Sequence, residues 1–325
     1  MSSRILEPGQ IEGAAMTPPF VQLPPPDLFA QRAERLKALA EDHPMGAYLS
    51  LLASVCRAQQ TVLDAPPALA ELDAQRLEAA IEHEMPPLAV DTLLHDGGWQ
   101  TLLDAWLDAF AEHNEPGALP EAVGAALDRL RKADADQRRV WATALLGGRF
   151  REVPGALVPF LGAALQLAWR HWLTAIDAED IREREDQTEC PCCGSLPVAG
   201  VIRHRRPIDG VRYLVCSLCA TEWHYVRLKC SHCLSTRELD YLHFEDAPHG
   251  VKAEACPECH TYLKQLYLEI APDGEAATAD LATLDLDMSL AEQNLQRRAP
   301  NLLLAPGGDG ESGAGSDGSE GHSDE

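Results

Sequence analysis

Apolar residues recur at intervals of three and four across residues 27–181, the spacing that places them on one face of a helix. Asp27 precedes the first of these segments and is expected to cap it, because its carboxylate can accept hydrogen bonds from the first turn. Trp169 and Trp172 fall in the last segment and are predicted to lie in the core or to form contacts between helices. The pattern predicts one all-α helical domain over 27–181, with helices at 28–40, 46–60, 76–84, 90–112, 120–132, 136–146 and 156–181.

After residue 190 the pattern changes to short runs rich in β-branched and aromatic residues, separated by Gly and Pro, which is typical of strands. The predicted strands are 196–202, 211–215, 222–228, 239–244 and 262–270. Residues 271–304 are expected to form a C-terminal helix and extension, since helical spacing returns over 277–298. One side of this predicted helix carries Leu281, Leu284, Met288 and Leu295.

Composition distinguishes the ends of the chain and one internal segment. Residues 1–26 are expected to form an irregular arm, because their prolines, including the run at 24–26, cannot continue a helix. Residues 182–189 are charged and have no apolar period, so they predict a linker. Residues 305–325 are rich in Gly and Ser and contain six acidic residues but no Lys or Arg, a composition that predicts disorder.

Eight of the ten cysteines fall in four C-x-x-C pairs whose spacing repeats. In each half, 22 residues separate one pair from the next, and adding 40 to the cysteine numbers of the first half gives those of the second. This is a duplicated four-cysteine module, expected at residues 190–229 and 230–270. The predicted metal ligands are Cys190, Cys193, Cys216 and Cys219 for one ion, and Cys230, Cys233, Cys256 and Cys259 for the other.

The chemistry of such a module follows from its geometry. Two thiolates on one tight turn can reach the same ion, and a second turn brought back by a loop of about 20 residues completes a tetrahedron. A closed site of this kind is structural or electron-transferring, and four thiolates accept iron and zinc alike. Disulfides would need an oxidising compartment, and a thioredoxin-like redox pair would need a βαβ setting, neither of which the sequence indicates.

The remaining cysteines and the histidines receive other roles. Cys56 stands alone in a predicted helix and is interpreted as a small core residue. Cys192 lies inside the first pair, but the 40-residue register favours Cys190 and Cys193, so Cys192 is interpreted as a spare thiol. The histidines of the modules are predicted to lie near the sulfurs or at the surface without binding metal: His204, His224, His232, His243, His249 and His260.

The net charge of −24 argues against a protein that binds nucleic acid, since non-specific binding to phosphates depends on Lys and Arg. The basic run at 203–206 is interpreted either as a solvated loop or as a docking patch. The longest uncharged stretch, 155–169, is too short to cross a bilayer and predicts a buried helix. Because the N-terminus also has no signal-peptide pattern, we expect a cytoplasmic protein.

No Gly-rich phosphate loop, G-x-S-x-G or H-E-x-x-H motif occurs in residues 27–181, and the four-cysteine sites leave no open metal position, so a non-enzymatic role is favoured. Several segments of the chain resemble the FdhE family of formate dehydrogenase accessory proteins. The helix at 32–53 is similar to that family's N-terminal signature. The segments that match its cysteine regions and its C-terminal end are 190–202, 213–233, 254–267 and 280–304.

This resemblance implies an α+β fold in which the all-α domain is followed by two tandem rubredoxin-like modules of zinc-ribbon type. It further implies a cytoplasmic maturation factor that binds the catalytic subunit of a respiratory, molybdenum-containing formate dehydrogenase before export. All eight family cysteines are present, so the resemblance places two metal ions on them, with iron favoured and zinc as the alternative. A homodimer stays open, as do two rival functions: a rubredoxin-like electron-transfer protein and a zinc-ribbon nucleic-acid-binding protein.

Overall fold

The computed structural model describes residues 18–304 apart from 116, 118, 206, 207, 246–248 and 300. Most of the N-terminal arm and all of the tail predicted to be disordered lie outside the described residues. In the first part of the described chain, eight α-helices follow one another: α1 Leu28–Ala40, α2 Gly46–Asp64, α3 Ala74–Glu82, α4 Val90–Leu93, α5 Gly98–His113, α6 Glu121–Lys132, α7 Ala135–Leu146 and α8 Val158–Trp172.

Helix α8 lies at the centre of the helical region, and nearly all of its residues are buried. It packs against α2 and α5, where the ring of Phe160 lies 6.2 Å from the rings of Trp106 and Phe110. Trp169 and Trp172 meet edge to face at 5.2 Å, and both are buried, which confirms their predicted place in the core. Within the described chain, no helix is both long enough and apolar enough to cross a bilayer.

Two long helices predicted from the sequence are interrupted. The segment predicted as a helix over 90–112 is divided into α4 and α5, because Gly97 adopts a left-handed conformation with φ of 74° between them. The helix expected to reach residue 181 ends at Trp172 and continues as short 3₁₀ turns. Asp27 precedes α1 as predicted, yet its carboxylate accepts a hydrogen bond from the Gln31 side chain and not from the helix backbone.

The second part of the described chain forms one mixed sheet. Its strands run in the order β1-β4-β3-β2-β7-β6-β5, and β8 pairs with β7. Strands β2 and β7 are parallel and join the half of the sheet that contains the first cysteines to the half that contains the second. The bounds are β1 Val21–Gln22, β2 Pro197–Arg205, β3 Ile208–Cys216, β4 Glu222–His224, β5 Asp240–Leu242, β6 Val251–Ala255, β7 Thr261–Tyr267 and β8 Gln296–Arg297.

A helical N-terminal region followed by a sheet region confirms the predicted α+β class, with local differences. Strand β6 was not predicted. The arm is not wholly irregular, because β1 pairs with β4 through Val21 and Trp223. The basic run does not lie wholly in a loop as predicted, because Arg203 belongs to β2. The predicted C-terminal helix is two helices, α9 Ala276–Leu281 and α10 Leu284–Glu292, and Met288 on the second is 70% exposed.

Candidate metal centres

The folded chain brings the eight paired cysteines into two separate groups of four, and within each group all four Sγ atoms lie within 4.8 Å of one another. The first sulfur group unites the first two pairs, and the second sulfur group unites the last two. The members of the first group are Cys190, Cys193, Cys216 and Cys219. The members of the second group are Cys230, Cys233, Cys256 and Cys259.

The distances between the sulfurs fit a tetrahedron around one ion. In the first group, Sγ of Cys190 lies 3.5 Å from Sγ of Cys219, and in the second group, Sγ of Cys230 lies 3.8 Å from Sγ of Cys259. A metal–sulfur distance of about 2.3 Å gives a tetrahedron with edges of about 3.8 Å. A disulfide would need sulfurs about 2.05 Å apart, so these thiols are free of one another. Each group could therefore hold one metal ion that prefers soft ligands.

Each pair of cysteines occupies a tight turn, here called a knuckle, whose backbone supports the sulfurs. In the second knuckle, the backbone N–H groups of Leu218 and Cys219 both point at Sγ of Cys216, at 3.4 Å. In the third knuckle, the N–H of His232 points at Sγ of Cys230, also at 3.4 Å. Such N–H groups stabilise negative charge on a sulfur, so the turns are suited to thiolates.

The 40-residue register extends beyond the cysteines to the residues that support them. The hydroxyl of Thr221 lies 3.1 Å from Sγ of Cys219, and the hydroxyl of Thr261 lies 3.0 Å from Sγ of Cys259. In every knuckle, the residue after the second cysteine has a left-handed backbone: Gly194, Ala220, Leu234 and His260. The repeat therefore preserves a turn conformation as well as a ligand spacing.

The surroundings of the sulfurs affect how readily they ionise. Burial raises the pKa of Cys190 and of Cys193 well above the ordinary value of a thiol. For Cys259, burial acts in the same direction, but hydrogen bonds from Thr261 and neighbouring thiols outweigh it and lower the pKa to about 7. Four buried thiols cannot all be charged without a cation, so the first group suits a metal ion better than free thiolates.

The two other cysteines lie outside both groups, in agreement with their interpretation. Cys192 is buried, and its backbone carbonyl accepts a hydrogen bond from the N–H of Leu88 in the helical region, at 2.8 Å. Cys56 is fully buried within α2, and this burial raises the pKa of its thiol to about 12. A thiol of this kind is an apolar packing residue at neutral pH.

The described histidines have roles other than membership of a sulfur group. The ring of His224 lies 6.0 Å from that of Tyr213, and Nδ1 of His243 lies 2.9 Å from the carbonyl of Phe244. His260 contributes its backbone carbonyl, which accepts a hydrogen bond from Gln296. Burial lowers the pKa of His249. The side chain of His204 lies outside what the structure describes.

The basic run is partly neutralised within the sheet. Arg203 forms a two-pronged ion pair with Glu222 on β4, with its Nη2 atom 2.6 Å and 2.8 Å from the two carboxylate oxygens. Its guanidinium group also lies 5.8 Å from the ring of Tyr213. The side chains of the next two basic residues are not described. The contacts of Arg203 therefore support a structural role for that residue within the run.

A buried ion pair lies between the halves of the sheet and was not found from the sequence. Arg212 on β3 and Glu254 on β6 approach to 2.8 Å, with side chains 0% and 5% exposed. Arg212 also donates to the carbonyl groups of Val226 and Lys229, just before the third knuckle, and lies over the ring of Tyr225. Strands β3 and β6 are separated by β2 and β7 in the sheet, so the overall fold, and not a direct strand pairing, brings the two side chains together.

Comparison with known families gives three matches in succession along the chain. The models described as "FdhE, N-terminal", "FdhE, central domain" and "FdhE, C-terminal domain" match residues 17–186, 189–227 and 228–304. The first sulfur group lies in the central match, and the second lies in the C-terminal match. Together the three models cover most of the chain.

Individual relatives agree over nearly their whole length. A protein from Stutzerimonas stutzeri named Protein FdhE homolog is 66% identical over 94% of this chain and 99% of its own. One of the same name from Pseudomonas aeruginosa is 55% identical over 95% of this chain and 100% of its own. The crystal structure of the FdhE protein from Pseudomonas aeruginosa superposes with a TM-score of 0.83 at 53% identity, covering 89% of this chain and all of that one.

Proposed function

The chain belongs to the FdhE family of formate dehydrogenase accessory proteins, and on that premise we propose that it matures a respiratory, molybdenum-containing formate dehydrogenase. It does so by binding the catalytic subunit of that enzyme in the cytoplasm, before export. The observation that carries this proposal is the succession of three FdhE matches between residues 17 and 304. The role is that of a non-catalytic helper.

Two metal ions complete the protein in this proposal. Cys190, Cys193, Cys216 and Cys219 hold one, and Cys230, Cys233, Cys256 and Cys259 hold the other. The support is the tetrahedral spacing of the sulfurs and the N–H groups directed at them. A bound ion supplies a cross-link between two knuckles and balances the charge of their thiolates. Iron is favoured by the family resemblance, and zinc is the alternative with the same ligand chemistry.

A division of labour within the chain is part of the proposal. The helical domain of residues 27–181 supplies contact surface for the catalytic subunit, and the modules at 190–229 and 230–270 form a rigid second surface. The acidic character of the chain, with a net charge of −24, supports a protein partner over nucleic acid. The ion pair that neutralises Arg203 adds to that support.

The function is tested in a bacterium that produces respiratory formate dehydrogenase. Deletion of the gene for this chain should abolish formate oxidation by membranes, and a plasmid copy should restore it. The affinity-tagged full-length chain should also retain the catalytic subunit from the soluble fraction. An active enzyme in the deletion strain, or no co-purification of the subunit, would contradict the proposal.

The metal sites are tested separately from the partner. Anaerobic purification followed by elemental analysis should give two ions per chain, with a ferric–thiolate colour if the metal is iron and no colour if it is zinc. The variant Cys230→Ser/Cys233→Ser should lose one of the two ions. The matched control, Cys56→Ala, changes a cysteine outside both groups and should keep both ions. Unchanged metal content in the double variant would refute the assignment of ligands.

A further inference from the structure

The two sulfur groups have the same ligands but very different surroundings. All four cysteines of the first group are buried, with none more than 1% exposed. In the second group, Cys233 is exposed and Cys259 is partly exposed. We propose that the second group exchanges its ion with the surroundings through Cys233, whereas the first group keeps its ion for as long as the protein stays folded. This inference rests on the proposed metal binding.

The first group is embedded in the main hydrophobic core, together with Leu214 and Trp223. The helical region holds its knuckles directly, because Gln166 of α8 donates to the carbonyl of Ser217 at 2.9 Å and Leu88 donates to the first knuckle. A cleft of about 570 Å³ borders that knuckle, yet Cys193 itself is only 1% exposed. Access to this ion therefore requires the helical region and the sheet to separate.

The second group lies in a small cluster of its own, where Cys230 and Cys256 pack with Leu239. Its knuckles are held by Tyr225, which donates to the carbonyl of Cys230, and by the C-terminal strand β8. The chain that leads into this site is itself exposed, with Leu228 73% accessible. Opening of the second group therefore need not separate the residues of the main core.

Exchange in this proposal is a transfer of ligands and not a redox reaction. An acceptor with nitrogen or oxygen ligands would approach at Cys233, and each bond between a cysteine of the group and the ion would be replaced by a bond to the acceptor. The ion keeps its oxidation state, and the freed thiolates take up protons from water. Local opening needs far less free energy than global unfolding, so the two sites should release metal at different rates.

The test is the kinetics of zinc release. The full-length protein is loaded with two equivalents of Zn²⁺ under anaerobic conditions and mixed with an excess of the coloured chelator 4-(2-pyridylazo)resorcinol. Absorbance should rise in two phases of equal amplitude, one ion each, with rates that differ at least about tenfold. Release of both ions in one phase from a protein that had bound two would overturn this inference and leave the metal sites intact.

Variants assign the phases. Cys233→Ser should remove the fast phase and leave the slow one, whereas Cys193→Ser, at the same register in the first group, should remove the slow phase. The reverse assignment would overturn the proposal. A protein that binds no zinc would refute the metal sites themselves.

Chemical labelling of the wild-type chain gives a readout that does not depend on how the variants fold. Iodoacetamide is added during chelation, and modified peptides are followed by mass spectrometry. Cys233 and Cys259 should be alkylated before any cysteine of the first group. Equal rates for the two groups would contradict the order of release.

Discussion

At the scale of single residues, each knuckle requires a left-handed backbone at the residue after its second cysteine, a conformation that residues with a Cβ disfavour. Gly194, Ala220, Leu234 and His260 all have φ between 54° and 80°. A non-glycine residue in this region carries a cost of about 1–2 kcal/mol, which glycine avoids. Only the first knuckle has a glycine there, so the other three hold strain that the rest of the fold must balance.

Exchanging the residues at this position should change stability in opposite directions. Gly194→Ala should lower the free energy of unfolding by about 1 kcal/mol because alanine disfavours the left-handed backbone conformation. A steric clash adds nothing, since the nearest atom to a new Cβ is 3.6 Å away. Leu234→Gly should raise it by about 0.5 kcal/mol, since relief of strain exceeds the added entropy of the unfolded chain. Urea unfolding of the metal-loaded variants measures both. Destabilisation by Leu234→Gly would show that its side-chain contacts matter more than its backbone.

At the scale of elements, residues 301–304, here called the C-terminal segment, pack directly against helix α8. A Cβ on Gly162 of α8 would lie 2.1 Å from the backbone carbonyl oxygen of Leu302. Tyr48 of α2 donates to the carbonyl of Leu303, and the side chain of Asn301 donates to the carbonyl of Ala277 in α9. The C-terminal segment therefore packs as part of the core, and this packing requires that residue 162 be a glycine.

Gly162→Ala should displace this segment and lower the free energy of unfolding by about 2 kcal/mol or more, because backbone cannot move aside as a flexible side chain can. Gly124→Ala in α6 is the matched control, since a new Cβ there would have no atom of the described chain within 4 Å and alanine favours a helix by up to about 1 kcal/mol. Thermal unfolding compares the two variants. Equal effects would mean that the close approach of the segment is not required.

At the scale of the whole molecule, Arg212 and Glu254 connect the two halves of the sheet through a buried ion pair. Burial raises the pKa of Glu254 even though Arg212 opposes that rise. Removal of one partner leaves the other charge buried, whereas removal of both leaves an apolar contact. The stability of each half of the sheet therefore depends on the charged partner that the other half supplies.

Arg212→Met should lower the free energy of unfolding by about 3–5 kcal/mol, because it leaves the carboxylate of Glu254 buried without a partner. The double variant Arg212→Met/Glu254→Leu should lower the free energy of unfolding by less, because it leaves no buried charge. The loss in the single variant should grow with pH. A glutamate whose folded pKa is raised keeps its proton in the folded state, so stability is retained below the unfolded pKa and lost as pH rises through the folded pKa. Denaturant unfolding at a series of pH values that starts at about 4.5, the ordinary pKa of a glutamate, and rises from there gives both results. A smaller loss at higher pH would contradict the buried carboxylate.

Removal of both ions should affect the sheet region far more than the helices. Around the second sulfur group, the structure describes a cluster of only three buried residues, Cys230, Leu239 and Cys256, whereas the helices share a large core. After anaerobic treatment with a strong chelator, hydrogen exchange should show loss of protection over residues 190–270, while circular dichroism retains most of the helical signal. If residues 190–270 kept their protection from hydrogen exchange after the metal had been shown to be lost, the idea that metal binding stabilises the fold of this region would be contradicted.

Much of this architecture follows from local sequence patterns. Helices α1 and α2 and most of the described strands were predicted, because hydrophobic periodicity and turn residues act over a few positions. The interruptions were missed where one residue, such as Gly97, adopts an unusual backbone conformation.

The sequence alone determined how the sulfurs are grouped, because covalent spacing on a tight turn limits which thiols can meet. It also determined the family, through the order of those motifs. Only the tertiary structure decided that β2 and β7 pair in parallel, that Arg212 meets Glu254 between the halves, and that the first sulfur group is buried while Cys233 is exposed. Those features depend on contacts between distant segments, and two modules with the same repeat differ because the first sulfur group lies in the main core while the second lies in a small cluster of its own.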